Sequence, residues 1–247
     1  MYKILFTSAL KEELNPIKEI IKNLKIKSKI GFLVSEIGNY KTIFNLTKYL
    51  SEKSYDFIVN IGICGYIDKN KPFQVAKIFN ISNNKEFIIP IGFKFLNLES
   101  IACSEKIIFD TKELQDEKYV DMESYGFEFV CDKFKIPRII LKIPYDSIGT
   151  TETTNYNKNK LTEKIKQIDF EKLINQITNF LDKYKPEVID FEKYFSHYKF
   201  TFSEKLIFQK MYFHYTSLTG DKFDDFFEKN KSLDKKEFLK IGSEINN

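Results

Sequence analysis

The first 185 residues alternate short apolar runs with amphipathic stretches of helical period, and that alternation leaves few architectures open. "YKILFTS" (2–8), "KIGFLVSEIG" (29–38), "YDFIVNIGICGYI" (55–67), "QVAKIFNIS" (74–82) and "PRIILKIPYDS" (137–147) read as strands, the third breaking into a glycine-containing turn at Gly62–Gly65. "EFIIPIGF" and "ESIACSEKIIF" add two shorter ones. Between them, "KEELNPIKEIIKNL" sets Leu14, Ile17, Ile20, Ile21 and Leu24 at helical spacing. Its acids Glu12 and Glu13 fall in the first turn, where the helix dipole favours negative charge. Pro16 is tolerable only near that start. "NYKTIFNLTKYLSEK" (39–53) carries Ile43, Phe44, Leu46 and Leu50 on a second helix. "MESYGFEFVCDKF" (122–134) reads as a third, and "LTEKIKQIDFEKLINQITNFLDKY" (161–184) as one long amphipathic helix after a polar loop at 149–160. The pattern predicts a three-layer α/β/α domain over residues 1–185 with a central mixed β-sheet.

After Pro186 the composition turns aromatic. Phe200, Phe202, Leu206, Phe208, Met211, Tyr212 and Tyr215 can form one apolar face, so residues 186–247 are expected to be a helical C-terminal extension of unassigned role. That face is read as packing, with a protein partner as the alternative.

Open α/β sheets bind ligands beyond the carboxyl ends of their strands. Those ends carry Ser8 to Glu13, Gly38, Gly62 to Gly65 and Asp146, while Glu123 opens a helix after a brief extended segment. Three acids from distant segments thus converge on one edge. Burying a carboxylate is expensive unless something uses it.

Several classes drop out. Both histidines, His197 and His214, lie in the extension, so a histidine-based centre in the main body is excluded. Cys64, Cys103 and Cys131 are too few and too scattered for a disulfide framework or a zinc site, and neither metal nor cofactor is expected. The net charge of +4 is spread over many lysines and argues only weakly for nucleic acid. The single arginine, Arg138, lies inside an apolar run, so an anion clamp would have to use lysine or backbone N–H groups. No segment approaches the ~20 apolar residues of a membrane span, and the N-terminus lacks a signal-peptide pattern, so a cytoplasmic protein is expected.

Four segments, in order, resemble the nucleoside phosphorylase/nucleosidase superfamily, and most closely its 5′-methylthioadenosine/S-adenosylhomocysteine nucleosidase branch. "SALKEEL" (8–14) is similar to the family's opening acidic loop. "VNIGICGYI" (59–67) resembles its Asn-Thr-Gly-Ser-Ala-Gly-Gly turn, and "VDMES" (120–124) its Val-Glu-Met-Glu-Ala ribose motif. "VCDKFKIPRIILKIPYDS" (130–147) resembles the helix-Pro-strand run that ends in Ser-Asp. The resemblance implies a homodimer acting on a small purine nucleoside. It implies that Glu13 activates water, that Met122 packs on the sugar while Glu123 holds its hydroxyls, and that Asp146 protonates the leaving purine. It also implies that Gly62, Ile63 and Cys64 line the pocket, and that "CSEKII" (103–108) supplies the base edge through Ile107 and Ile108.

The chemistry asks for such groups whatever the name. Cleaving a purine–ribose bond builds positive charge on the sugar and negative charge on the base. A carboxylate stabilises the first and a proton donor cancels the second. A further carboxylate can take a proton from water, a division of labour familiar from glycoside hydrolysis. An acid that donates needs a raised pKa, which burial at an apolar strand end can supply to Asp146.

Departures from the family pattern bear on phosphate. Ile63 replaces a hydroxyl residue, Glu36 the first glycine of a Gly-x-Gly loop, Lys142 an arginine expected to bind substrate, and Tyr145 a serine. Hydrolysis is therefore expected. The alternatives are a phosphorylase that holds phosphate on lysine and backbone donors, and a nucleoside-binding protein without turnover whose extension docks a partner.

Overall fold

The computed structural model describes residues 1–68, 71–114, 116–148, 157–183, 191–219 and 223–244. Most of the 149–160 loop, the boundary at Pro186, and the side chains of Leu206 and His214 lie outside the described residues. The chain divides into two compact units, Met1–Tyr184 and Lys185–Asn247.

Among the described residues the first unit has eight strands: β1 (Lys3–Ser8), β2 (Lys29–Val34), β3 (Phe57–Tyr66), β4 (Phe73–Asn80), β5 (Lys85–Ile88), β6 (Leu98–Cys103), β7 (Tyr119–Asp121) and β8 (Arg138–Ser147). They form one mixed sheet of order β2-β1-β3-β7-β6-β4-β5, with β8 paired to β3 and β4. β1 runs parallel to β2 and β3, and β3 parallel to β8, whereas β7 joins β3 antiparallel.

Helices cover both faces. α1 (Lys11–Lys22), α4 (Lys158–Ile165) and α5 (Phe170–Lys183) bury Leu14, Ile17, Leu161, Ile165, Leu173 and Ile177 against Phe6, Val59, Ile61, Leu141 and Ile143. On the other face, α2 (Asn39–Glu52) and α3 (Ser124–Phe134) bury Leu46, Leu50, Phe127 and Val130 against Leu5, Ile58, Val75, Ile101 and Ile140. Each fully buried side chain of this kind contributes about 1.5–3 kcal/mol. The three-layer expectation holds.

Three local readings are corrected. β3 does not turn at Gly62–Gly65 but runs through to Tyr66, because β8 and β7 pair it to its end. The glycines serve close approach instead. A Cβ on Gly62 would lie 3.2 Å from Glu13 Oε1, and one on Gly65 3.0 Å from Val120 Cγ1. Asp146 does not follow its strand. β8 absorbs a register shift opposite Cys64 and Gly65, and Asp146 sits inside the strand beside Gly65. The long helix at 161–184 is two helices, because the Asp169 carboxylate accepts the Lys172 N–H at 2.9 Å and starts α5 afresh.

The second unit comprises α6 (Glu192–Phe195), α7 (Phe202–Thr219), α8 (Phe223–Asn230) and α9 (Lys235–Glu244). Its core is aromatic: Tyr194, Tyr198, Phe200, Phe208, Phe223, Phe227 and Phe238 surround Met211. Phe202, placed on the apolar face by spacing, is 78% exposed, since it opens α7 instead of packing beneath it.

Candidate active site

Four charged side chains from four elements are buried together at the carboxyl end of β3. Glu13 comes from the first turn of α1, Asp121 from the end of β7, Glu123 from the residue before α3, and Lys142 from mid-β8. Their exposures are 2%, 5%, 7% and 1%.

Glu13 is held by backbone. Oε1 accepts the Ile63 N–H at 2.9 Å and Oε2 the Leu10 N–H at 2.9 Å. Burial pushes its carboxyl up, against the pull of those amides and of the Lys142 ammonium. Asp121 pairs with Lys142 at 2.6 Å and accepts both the N–H (3.1 Å) and the hydroxyl (2.7 Å) of Ser124, so it caps α3. Burial opposes the charge on Lys142, yet Asp121, then Glu123 and Glu13, outweigh it and hold the ammonium protonated. Glu123 accepts the Gly38 N–H at 3.0 Å. Burial, then the Asp121 charge, push its carboxyl up to about 7, against Lys142 and the Gly38 amide.

The raised Glu123 makes stability depend on pH. From its ordinary 4.5 up to about 7 the folded chain keeps a proton that the unfolded chain gives up. Stability is therefore lost as pH rises through that window and is level above it. Thermal unfolding of wild type and Glu123→Gln between pH 4 and about 8 checks this. The variant should gain on wild type as pH rises, by on the order of 3 kcal/mol at most. A pH-independent difference would count against the burial argument.

The chain is 27% identical to a 5′-methylthioadenosine/S-adenosylhomocysteine nucleosidase of Buchnera aphidicola subsp. Schizaphis graminum, over 228 residues covering 70% of this chain and 95% of that one. A namesake from Buchnera aphidicola subsp. Baizongia pistaciae is 24% identical, over 63% of this chain and 82% of its own. No protein-family model matches. Among solved structures, the Campylobacter jejuni nucleosidase of that name superposes with a TM-score of 0.55 at 15% identity, over 74% of this chain and all of its own. The chain shares the fold of that nucleosidase. A Helicobacter pylori futalosine hydrolase mutant superposes equally well, TM-score 0.55 at 14% identity over 71% of this chain and 98% of its own.

Within this fold the expected residues fall into three groups. Glu13, Glu123 and Lys142 come together, with the Gly62 and Ile63 backbone at the Glu13 carboxylate and half-buried Met122 beside Glu123. Lys142 is not free to take an anion, because it is sealed against Asp121. Asp146 is half-buried in β8. It shares a neighbour with the cluster: the buried Cys64 thiol, raised by burial, feels Lys142, Asp121 and Asp146. Ile107 and Ile108 do not form a paired wall. Ile107 is 66% exposed, and Ile108 packs with Ala102, Leu114 and Val120 in a small apolar cluster.

Sequence reasoning passed over two residues. Asp121 drew no chemical role from the sequence, where only Ser124, three positions on, marks it as a cap. Asn39 drew no notice, yet its buried amide bonds Gly126 and Glu105. Only its place after Gly38, at a helix start, could have flagged it.

Proposed function

We propose that the chain hydrolyses the N-glycosidic bond of a purine nucleoside or 5′-thionucleoside. The carrying observation is the buried cluster itself, in which acids outnumber the cation three to one and the cation is already paired. Such a site favours a sugar that becomes cationic and disfavours an entering phosphate. The Ile63 N–H, a donor an anion could use, is occupied by Glu13, and the Ile63 side chain adds no hydroxyl.

In this reading Glu13, ionised with the help of two amides and Lys142, takes a proton from water attacking the anomeric carbon. Glu123 bonds the ribose hydroxyls and faces the developing positive charge, with Met122 against the sugar. Asp146, at the far end of β8, protonates the departing purine. The named activities of the similar nucleosidases, and of the futalosine hydrolase, support the bond type and the water acceptor.

Purified chain should release free base from at least one of methylthioadenosine, adenosylhomocysteine, futalosine, adenosine or inosine without phosphate, read by chromatography. Release only with phosphate, giving ribose 1-phosphate, would replace hydrolysis by phosphorolysis. Thermal stabilisation by these nucleosides without base release would make the chain a binding protein.

A further inference from the structure

We propose that Asn39 is a positioning residue that ties the loop after β6 to the Glu123 carboxylate. The inference rests on the ribose-binding role proposed for Glu123.

Glu123 occupies the position just before α3, where a short polar side chain would normally bond the first-turn N–H groups. It does not cap its own helix. Two other residues do so. Asp121 takes the Ser124 N–H, and Asn39 Oδ1 takes the Gly126 N–H at 2.7 Å, from 87 residues away in sequence. With those amides satisfied, the Glu123 carboxylate is released from local duty. It turns instead to the Gly38 N–H, the residue next to Asn39.

The backbones are pressed together at the same point. A Cβ on Gly126 would lie 2.6 Å from the Asn39 carbonyl oxygen, so only glycine lets α2 and α3 meet there. Gly38 itself has φ +99°, a conformation glycine adopts freely. The Gly38 amide is therefore aimed by two fixed features rather than by a mobile loop.

The other half of the Asn39 amide faces away from α3. Nδ2 donates to Glu105 Oε1 at 2.8 Å and lies 3.3 Å from Cys103 Sγ. Glu105 belongs to the segment 104–110 that follows β6 and overlaps the 103–108 stretch that the resemblance assigned to the base edge. One 1%-exposed side chain thus joins α3, β6 and that loop, while its neighbour holds the ribose acid. The loop after β6 and the acid proposed for the sugar are thus tied through adjacent residues.

A polarity swap tests this. Asn39→Asp keeps an oxygen for Gly126 but sets carboxylate against the Glu105 carboxylate. Glu105→Gln alone keeps an acceptor for Asn39. The two together restore the bond with donor and acceptor exchanged. Amide hydrogen exchange of segment 104–110 is measured without nucleoside, and KM and kcat on whichever nucleoside wild type cleaves. Asn39→Asp should speed exchange about tenfold and raise KM about tenfold, as for one lost charge-assisted hydrogen bond. Glu105→Gln should stay within about twofold of wild type, and the double variant should return close to it. Unchanged exchange in Asn39→Asp, or no recovery in the double variant, overturns the proposal. If wild type cleaves nothing, the function above fails while the exchange data still decide the tether.

Discussion

Glu13→Gln should leave a folded protein that binds nucleoside and has lost about 10²–10⁴ of its kcat, the usual contribution of a positioned general base. The substitution keeps volume and one carbonyl oxygen. Glutamine cannot accept both backbone donors, because its amide nitrogen must face either Ile63 N–H or Leu10 N–H. One buried amide then goes unpaired, at about 1–3 kcal/mol of stability. Both effects belong in one experiment: single-turnover base release for the chemistry, and thermal unfolding for the fold. Glu13 has an ordinary structural use as the N3 residue bonding back to Leu10 N–H at a helix start. If that were its whole purpose, the melting temperature would fall and kcat would hold. A variant that melts lower but turns over at the wild-type rate would remove Glu13 from the mechanism.

The main elements of the fold were legible because their signals are local. Apolar runs such as "YKILFTS" and the helical spacing of Leu14, Ile17 and Ile21 give β1 and α1 without knowledge of any partner. What escaped depends on partners. Gly62 and Gly65 look like a turn until β8 and β7 are seen to pair β3 to its end. The single helix expected at 161–184 has an uninterrupted apolar stripe, and only the turn of Asp169 onto the Lys172 N–H divides it. Within the buried cluster, Glu13 and Glu123 could be named from residue type, strand ends and family resemblance. The Asp121–Lys142 pair could not, since nothing in "VDMES" or "ILKIP" says that the two segments meet. Asp146 was named by type, but its place inside β8 follows from a register shift that no spacing encodes.

Lys142→Met should destabilise the first unit strongly, because it strands Asp121. The ammonium is 1% exposed and lies 2.6 Å from Asp121 Oδ2. Removing one partner of a buried pair costs about 3–5 kcal/mol, chiefly through the uncompensated charge left behind. For a chain of this size that corresponds to roughly 10 °C or more in melting temperature. Asp121→Asn added to Lys142→Met removes the stranded charge. Its amide oxygen can still accept from Ser124, so most of the lost stability should return. Catalysis should not return with it. Lys142 lowers the Glu13 carboxyl, so without it Glu13 ionises at higher pH, whereas at Glu123 the loss of the Asp121 charge, the larger effect, offsets the loss of the lysine. Base release by the double variant should therefore need a more alkaline medium than wild type, since Glu13 acts as a base only when ionised. Thermal melts and pH–rate profiles of the three proteins separate the two roles of the lysine. A single variant as stable as wild type would show that water or another group already compensates Asp121. A double variant with the wild-type pH profile would confine Lys142 to holding the fold.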